Sequence, residues 1–187
     1  QWQKDYDLLP EGAIQCRAYE NHDVATDAFE NRPDRVCGAE CGELAMVINF
    51  AINGVPFIYN GNELADSGRH CFFSNRFHGG YHGIDWSRAD SEGARRRMAV
   101  VRSLVALKRS EPALYEGSVE WNETENSGRI VSFSRVVGGE RITLCANVSR
   151  ESAECAAPVG RALASSRVAA DGARLCFEPY GYILIKE

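Results

Sequence analysis

A basic surplus is what this 187-residue chain most plainly lacks. Lys and Arg number 21 against 26 Asp and Glu, for a formal net charge of -5. Binding to a phosphate backbone depends on clustered cationic charge, so nucleic acid is not an expected partner and a neutral ligand fits better. No apolar run approaches the roughly 18–20 residues of a spanning helix, so no membrane partner is expected either. The sequence has no internal repeat and no low-complexity tract, which argues against a solenoid and against a disordered chain. It also has no Cys-x-x-Cys pair, which argues against a structural zinc site. With 44% hydrophobic and 25% charged residues, the composition is that of a globular protein.

The seven cysteines, Cys16, Cys37, Cys41, Cys71, Cys145, Cys155 and Cys176, are odd in number and scattered in spacing. A secreted disulfide framework favours an even set, so the expectation is reduced, mostly buried thiols in a reducing, cytoplasmic compartment. Asn122-Glu123-Thr124 and Asn147-Val148-Ser149 match the short N-glycosylation pattern. The chain begins at Gln1 and carries no signal-peptide pattern, so a fragment or processed product is expected.

The first part of the chain alternates short apolar strands with helical patterns. Ala13 to Tyr19 reads as a strand, and Val24 to Asp34 as loop, with Asn31, Pro33 and Asp34 as helix-start signals. Cys37, Cys41, Leu44, Ala45, Ile48 and Ile52 fall at helical spacing, and Asn53-Gly54 ends that helix. Val55 to Tyr59 is a second strand, Asn60 to Ser91 a long irregular segment, and Glu92 to Ser110 a second helix. Strand, polar loop, helix, repeated, is the βα unit of a parallel sheet or barrel, with function expected at the strands' C-terminal ends. After Pro112 the pattern changes to short strands: Ser118–Trp121, Ile130–Arg135, Ile142–Val148, Ser152–Cys155, Arg174–Phe177 and Tyr182–Lys186, with Gly138-Gly139 as a hairpin turn. The fold class expected is therefore α/β followed by all-β, divided into 1–112 and a 113–187 antiparallel sheet or sandwich.

Two polar clusters stand at strand exits. Glu20-Asn21-His22-Asp23 offers two carboxylates, an amide and an imidazole. If the strand runs on, alternation sends Glu20 and His22 to one side and Asn21 and Asp23 to the other. A carboxylate there can stabilise developing positive charge, and a His can donate to a substrate hydroxyl. The alternative, which spacing alone favours, is a polar junction in which Asp23 satisfies backbone N–H groups. In Asn60-Gly61-Asn62-Glu63, Glu63 either binds a sugar hydroxyl or holds its own loop, the second being favoured. His78 and His82 are four apart near His70 and Cys71, but Gly79-Gly80 opposes the helix that would align them, so no metal is expected. Cys37 and Cys41 read as core packing, and Arg95-Arg96-Arg97 with Arg102 as a solvated face. Phe72, Phe73, Phe77, Tyr81 and Trp86 either line a sugar-binding cleft or form a loop mini-core.

These segments share a family pattern. Tyr19-Glu20-Asn21-His22-Asp23 resembles the strand-seven signature of the α-amylase family, glycoside hydrolase family thirteen. Gly54-Val55-Pro56-Phe57-Ile58-Tyr59-Asn60-Gly61-Asn62-Glu63 resembles its strand-eight segment, and 102–117 its last barrel helix. Phe133-Ser134-Arg135, Cys145-Ala146-Asn147-Val148-Ser149 and Tyr180-Gly181-Tyr182 resemble its β-sandwich C domain. The resemblance runs in order over nearly the whole chain. It implies the last two βα units of a TIM-type (β/α)8 barrel followed by a β-sandwich. It also implies retaining cleavage or transfer at α-glucosidic bonds, with an Asp nucleophile, a Glu acid/base and a third, transition-state-stabilising Asp.

That third role carries over to Asp23, and substrate-binding roles to His22, Asn21 and, by the strand-eight segment, Glu63. No nucleophile or acid/base segment matches, and Asp85 and Asp90 fit no motif. The resemblance therefore implies a C-terminal piece, inactive alone, of an enzyme acting on α-glucan or maltooligosaccharide. The alternative is a non-catalytic carbohydrate-binding or scaffold remnant. No cofactor is identifiable; family members often bind calcium, but no ligand set can be picked out. Two strands cannot close a barrel, so self-association through the uncovered face is expected.

Overall fold

The computed structural model describes residues 8–71 and 82–187. Phe72, Phe73, Phe77, His78 and Tyr81, and with them most of the aromatic cluster and the His78–His82 pair, lie outside the described residues.

The first half is built around two short parallel strands. Strand β1 (Cys16–Arg17) pairs with β2 (Val55–Pro56), Cys16 opposite Val55. Parallel pairing needs a crossover, and the chain between supplies helices α1 (His22–Asp27), α2 (Pro33–Val36) and α3 (Ala39–Ala51). Gly54, at φ +96°, is required where the crossover returns: a Cβ there would stand 2.5 Å from the Gln15 carbonyl oxygen. Both strands are shorter than the sequence pattern suggests. The larger correction concerns Val24 to Asp34, which is not loop but the body of α1, a 3-10 turn at Phe29–Asn31 and the start of α2. The helices there are only one to two turns long, too short to show a period, and are set by Asn21 as cap and Pro33 at a first-turn position.

Helix α4 (Glu92–Ser110) runs where its periodicity places it, capped by the Ser91 side chain, which accepts from Ala94 N at 3.2 Å. The single turn α5 (Pro112–Tyr115) follows directly. Between β2 and α4 the described residues include 3-10 turns at Asn62–Leu64 and Trp86–Asp90, and Trp86 itself is exposed.

The second half is a curled antiparallel sheet of β3 (Ser118–Trp121), β4 (Ile130–Val137), β5 (Glu140–Asn147), β6 (Ala153–Ala156), β7 (Arg161–Asp171) and β8 (Arg174–Lys186). Gly138 and Gly139, at φ +54° and +86°, make the two-residue β4–β5 turn that the sequence signals. The sequence reading missed β7 and split β8 in two. Strand β7 is rich in Ala and Ser and largely exposed, so it carries little apolar pattern; its pairing along β8 fixes it, with register shifts at Ala162/Ala164 and Ser166/Val168. Strand β8 is continuous, with its first half on β6 and its second on β5.

Alternation splits the sheet between two cores. Leu144 and Ala146 of β5 and Tyr182 and Leu184 of β8 face Met46, Val47 and Phe50 of α3 and Leu104 of α4. Their neighbours Cys145, Ile183 and Ile185 turn the other way, onto Cys155, Leu175 and Phe177. The first cluster thus crosses the 112/113 boundary read from the sequence. Arg135, fully buried, ties the halves by donating to Ala51 O at 2.9 Å and Leu114 O at 2.8 Å. Lys108 Nζ donates to Phe50 O, Ile52 O and Leu114 O at 3.1, 3.1 and 2.7 Å, satisfying carbonyls that helix ends leave open.

Candidate functional site

The two polar clusters of the sequence meet, through members that the motif reading did not emphasise. Glu20 leaves β1 pointing inward and is buried; Asn62 Nδ2 donates to its Oε1 at 2.5 Å. Asn62 Oδ1 in turn accepts from Tyr59 N at 3.0 Å, so the amide fixes the turn after β2 to the exit of β1. Gly61, at φ +96°, makes this turn possible: a Cβ would come within 3.1 Å of the His70 ring.

Arg32 is the hub. Its Nη2 donates to Glu20 Oε1 at 2.7 Å and its Nε to both Glu20 oxygens at 3.2 and 3.3 Å. Its Nη1 donates to Asp66 Oδ2 at 3.2 Å and to the Gly68 carbonyl. His70 Nε2 bonds Asp66 Oδ2, and Arg88 Nη1 reaches Asp66 Oδ1 at 3.2 Å. Burial pushes the Asp66 carboxyl up, but the His70 hydrogen bond and charge, with Arg32, outweigh it and hold it at about 2. A second buried pair lies beside the first: Arg97 Nη2 donates to Asp34 Oδ1 at 2.7 Å, and its Nη1 to Asn62 O at 3.2 Å. Arg97 is therefore no part of a solvated face, because its position on α4 turns it onto α2 rather than outward. Tyr19 Oη is buried without a hydrogen-bond partner among the described residues, and burial, more than Arg97 offsets, drives its phenol well above the usual value.

The buried frame holds Asn21, His22 and Asp23 at its edge. The strand does not run on through them, so the alternation argument fails. Asn21 is the N-cap of α1, its Oδ1 accepting from Val24 N at 3.1 Å, and His22 and Asp23 open the helix. Asn21 Nδ2 donates to Asp23 Oδ2 at 3.2 Å, and His22 Nε2 lies 3.3 Å from Asp23 Oδ1. The Asp23 side chain is 72% exposed and that of His22 55%. Helix α1 is pinned from behind: His70 N donates to Ala25 O at 3.0 Å and Thr26 Oγ1 to His70 O at 2.7 Å. The polar-junction alternative, in which Asp23 satisfies backbone groups, is taken by Asn21 instead. Glu63 holds its own loop, its Oε2 accepting from Gly61 N at 2.9 Å.

The sequence pointed to Asp23 and His22 but missed Arg32, Asp66 and His70 that carry them. Their only sequence signal was being polar in segments read as loop. A cavity of about 610 Å³ lies elsewhere, between β6, β7 and β8, lined by Val168, Cys176 and Phe177. Its lining includes none of Glu20, Asn21, His22 and Asp23, and the exposed carboxylate beyond β1 is the more informative feature. Among the described residues no cluster of three or more His, Cys, Asp or Glu is placed to hold a metal ion, and no described helix is long and apolar enough to cross a membrane.

No protein-family model matches this sequence, and no curated protein does. Solved structures do. Eubacterium rectale Amy13B superposes with a TM-score of 0.73 at 17% identity, over 99% of this chain and 41% of its own. The α-glucosyl transfer enzyme XgtA matches at 0.67 and 21%, over 98% and 42%, and isomaltulose synthase from Klebsiella sp. LX3 at 0.66 and 15%, over 93% and 43%. The chain thus spans less than half the length of the structures it matches. At these identities the likeness establishes a shared fold, the helices and curled sheet together, along nearly all of this chain.

Proposed function

We propose that this chain is the C-terminal part of a retaining enzyme of the α-amylase family acting on α-glucosidic bonds: the last two βα units of its barrel (1–112) and its β-sandwich domain (113–187). The observation that carries the reading is the placement of Asp23. It is an exposed carboxylate at the exit of a parallel strand, oriented by Asn21 and His22 and backed by a buried ion-pair frame. Function at the C-terminal ends of parallel strands is the rule for barrels. The structural likeness supports it, since neighbours of the same fold are an α-glucosyl transfer enzyme and an isomaltulose synthase, and MutB structures hold glucose, sucrose or isomaltulose.

In this reading Asp23 accepts hydroxyl hydrogen bonds from the reacting sugar and stabilises the positive charge that grows at its ring as the glycosidic bond breaks. His22 donates to a neighbouring hydroxyl, and Asn21 fixes the Asp23 rotamer. Glu63 shapes the adjoining loop. The nucleophile and acid/base come from residues outside this chain, so the chain by itself is inactive. The exposed Ile14, Val55 and Phe57 around the β1–β2 pair support a face that further barrel strands cover, or through which the isolated chain self-associates.

The test is turnover of maltooligosaccharides and sucrose by the native protein, isolated with an antibody to this segment. Asp23→Asn is expected to lower kcat by about a hundredfold or more with little change in KM, as removal of a transition-state contact does. Wild-type turnover in Asp23→Asn overturns the assignment. Oligosaccharide binding by a protein without turnover, unchanged by that substitution, establishes the non-catalytic alternative.

A further inference from the structure

Cys37 and Cys41, read from the sequence as packing, belong to neither apolar cluster. Both are partly exposed. Cys37 ends α2, Gly38 turns the chain at φ +92°, and Cys41 lies in the first turn of α3, so the two thiols stand four residues apart across the helix start, near enough for each to shift the other's ionisation. Two groups from the second half of the chain, Arg150 between β5 and β6 and Tyr180 on β8, stand at the same turn. Arg150 Nη2 stands 3.8 Å from Cys37 Sγ and donates to Val36 O at 3.3 Å. Arg150 Nε donates to Tyr180 Oη at 3.3 Å, which sets the phenol beside the same guanidinium. Tyr180 holds this position from a left-handed backbone, φ +59°, which a non-glycine residue rarely adopts. Partial burial alone would push the Cys37 thiol up, but Arg150, Tyr180 and Cys41 outweigh it and the thiol is held below its ordinary value. Burial and the neighbouring Cys37 push Cys41 up to about 12, leaving it a thiol.

We propose that Cys37 and Cys41 are a peroxide-reactive pair, in which Cys37 is the attacking thiolate and Cys41 the resolving thiol. The Cys37 sulfur attacks one oxygen of hydrogen peroxide; an S–O bond forms, the O–O bond breaks, and hydroxide leaves and takes a proton to become water. Cys37 is then a sulfenic acid. Cys41 attacks that sulfur as it gives up its proton; an S–S bond forms, the S–O bond breaks, and the departing hydroxide takes the Cys41 proton as a second water. Two thiols lose two electrons and peroxide gains them. A dithiol reductant reverses the change. Arg150 activates the sulfur by favouring its anion, the setting in which reactive cysteines are found. Oxidation removes that anion and with it the charge attraction that draws the Arg150 guanidinium to the sulfur at the end of α2.

The test treats the purified protein with a small excess of hydrogen peroxide, blocks remaining thiols with an alkylating reagent, and maps peptides by mass. The expected result is the loss of two hydrogens between Cys37 and Cys41, reversed by a dithiol. In Cys41→Ser a sulfenic-acid reagent should label Cys37, and in Cys37→Ser no such label should appear at Cys41. Arg150→Gln should slow the reaction severalfold, because losing the guanidinium lets the thiol pKa rise and the thiolate fraction fall. Reaction of Cys37 no faster than that of the partly exposed Cys176 overturns the proposal. So does loss of hydrogens from another pair such as Cys145 and Cys155, or over-oxidation of Cys37 with Cys41 untouched.

Discussion

Arg32 and Glu20 form an ion pair with both side chains wholly out of solvent, Nη2 to Oε1 at 2.7 Å. A pair this deep fixes geometry more than it adds stability, because desolvation offsets most of the attraction. Here it fixes the residue immediately before Asn21, His22 and Asp23. Replacing one partner leaves the other charge stranded, and Arg32→Met is expected to cost about 3–5 kcal/mol. Asp23→Asn, at an exposed position, is expected to change stability by about 0.5 kcal/mol or less. Urea unfolding of the two variants checks the contrast; equal losses would mean that Asp23 is structural.

Asp66 makes stability depend on acid. Its folded-state carboxyl sits at about 2, below the ordinary value of 3.8. A depressed carboxyl contributes stability that is fully present above its unfolded-state pKa and is lost as pH falls through the folded one. The loss attributable to Asp66 is therefore expected between about pH 4 and pH 2. Unfolding free energy measured across that window should fall less steeply in Asp66→Asn than in the parent, although the variant starts from a lower value.

Gly42 on α3 is a packing requirement. A Cβ there would come within 2.2 Å of Asp34 Oδ2, the carboxylate that holds Arg97. Gly42→Ala is expected to displace Asp34 and lower stability by about 1–3 kcal/mol, although alanine is the better helix former. A melting temperature at or above that of the parent would show that the Asp34–Arg97 pair shifts freely.

Leu104, 3% exposed, sits between α4 and the sheet in the larger apolar cluster. Leu104→Ala is expected to cost about 2–5 kcal/mol, by lost transfer energy and an unfilled cavity. Denaturant titration with an unchanged m-value checks that this comes from the folded state.

How much of this was legible in the sequence depends on the kind of signal. Helix α4 and strands β4 to β6 carry apolar patterns that report their own burial, and α3 and β3 also lie close to where the sequence places them; in α3, however, the face picked out by Cys41, Ala45 and Ile48 is the less buried one, and Met46, Val47 and Phe50 enter the core instead. Strand β7 was missed because alanine and serine on a largely exposed strand leave no such pattern; only its partner β8 defines it. The stretch after Asp23 was read as loop because its helices are too short to show a period. Within the Glu20 to Asp23 cluster, the motif residues give no sign of the buried ion-pair frame behind them. Arg97 looks like its neighbours Arg95 and Arg96 in sequence, and only the rotation of α4 buries it on Asp34.

By itself, then, the sequence determined the acidic, globular character of the chain, the change from βα units to antiparallel strands, and the position of the Glu20 to Asp23 cluster at a strand exit. These follow from local chemistry: side-chain period, turn residues and charge count. The tertiary structure alone decided that Glu20 turns inward to Arg32 while Asp23 stays in solvent, that Asn62 rather than Glu63 joins the two clusters, and that Arg150 and Tyr180 meet Cys37 from more than a hundred residues away. Those are contacts between distant segments. No local pattern encodes them, because a buried charge declares its partner only when packing has removed water from both.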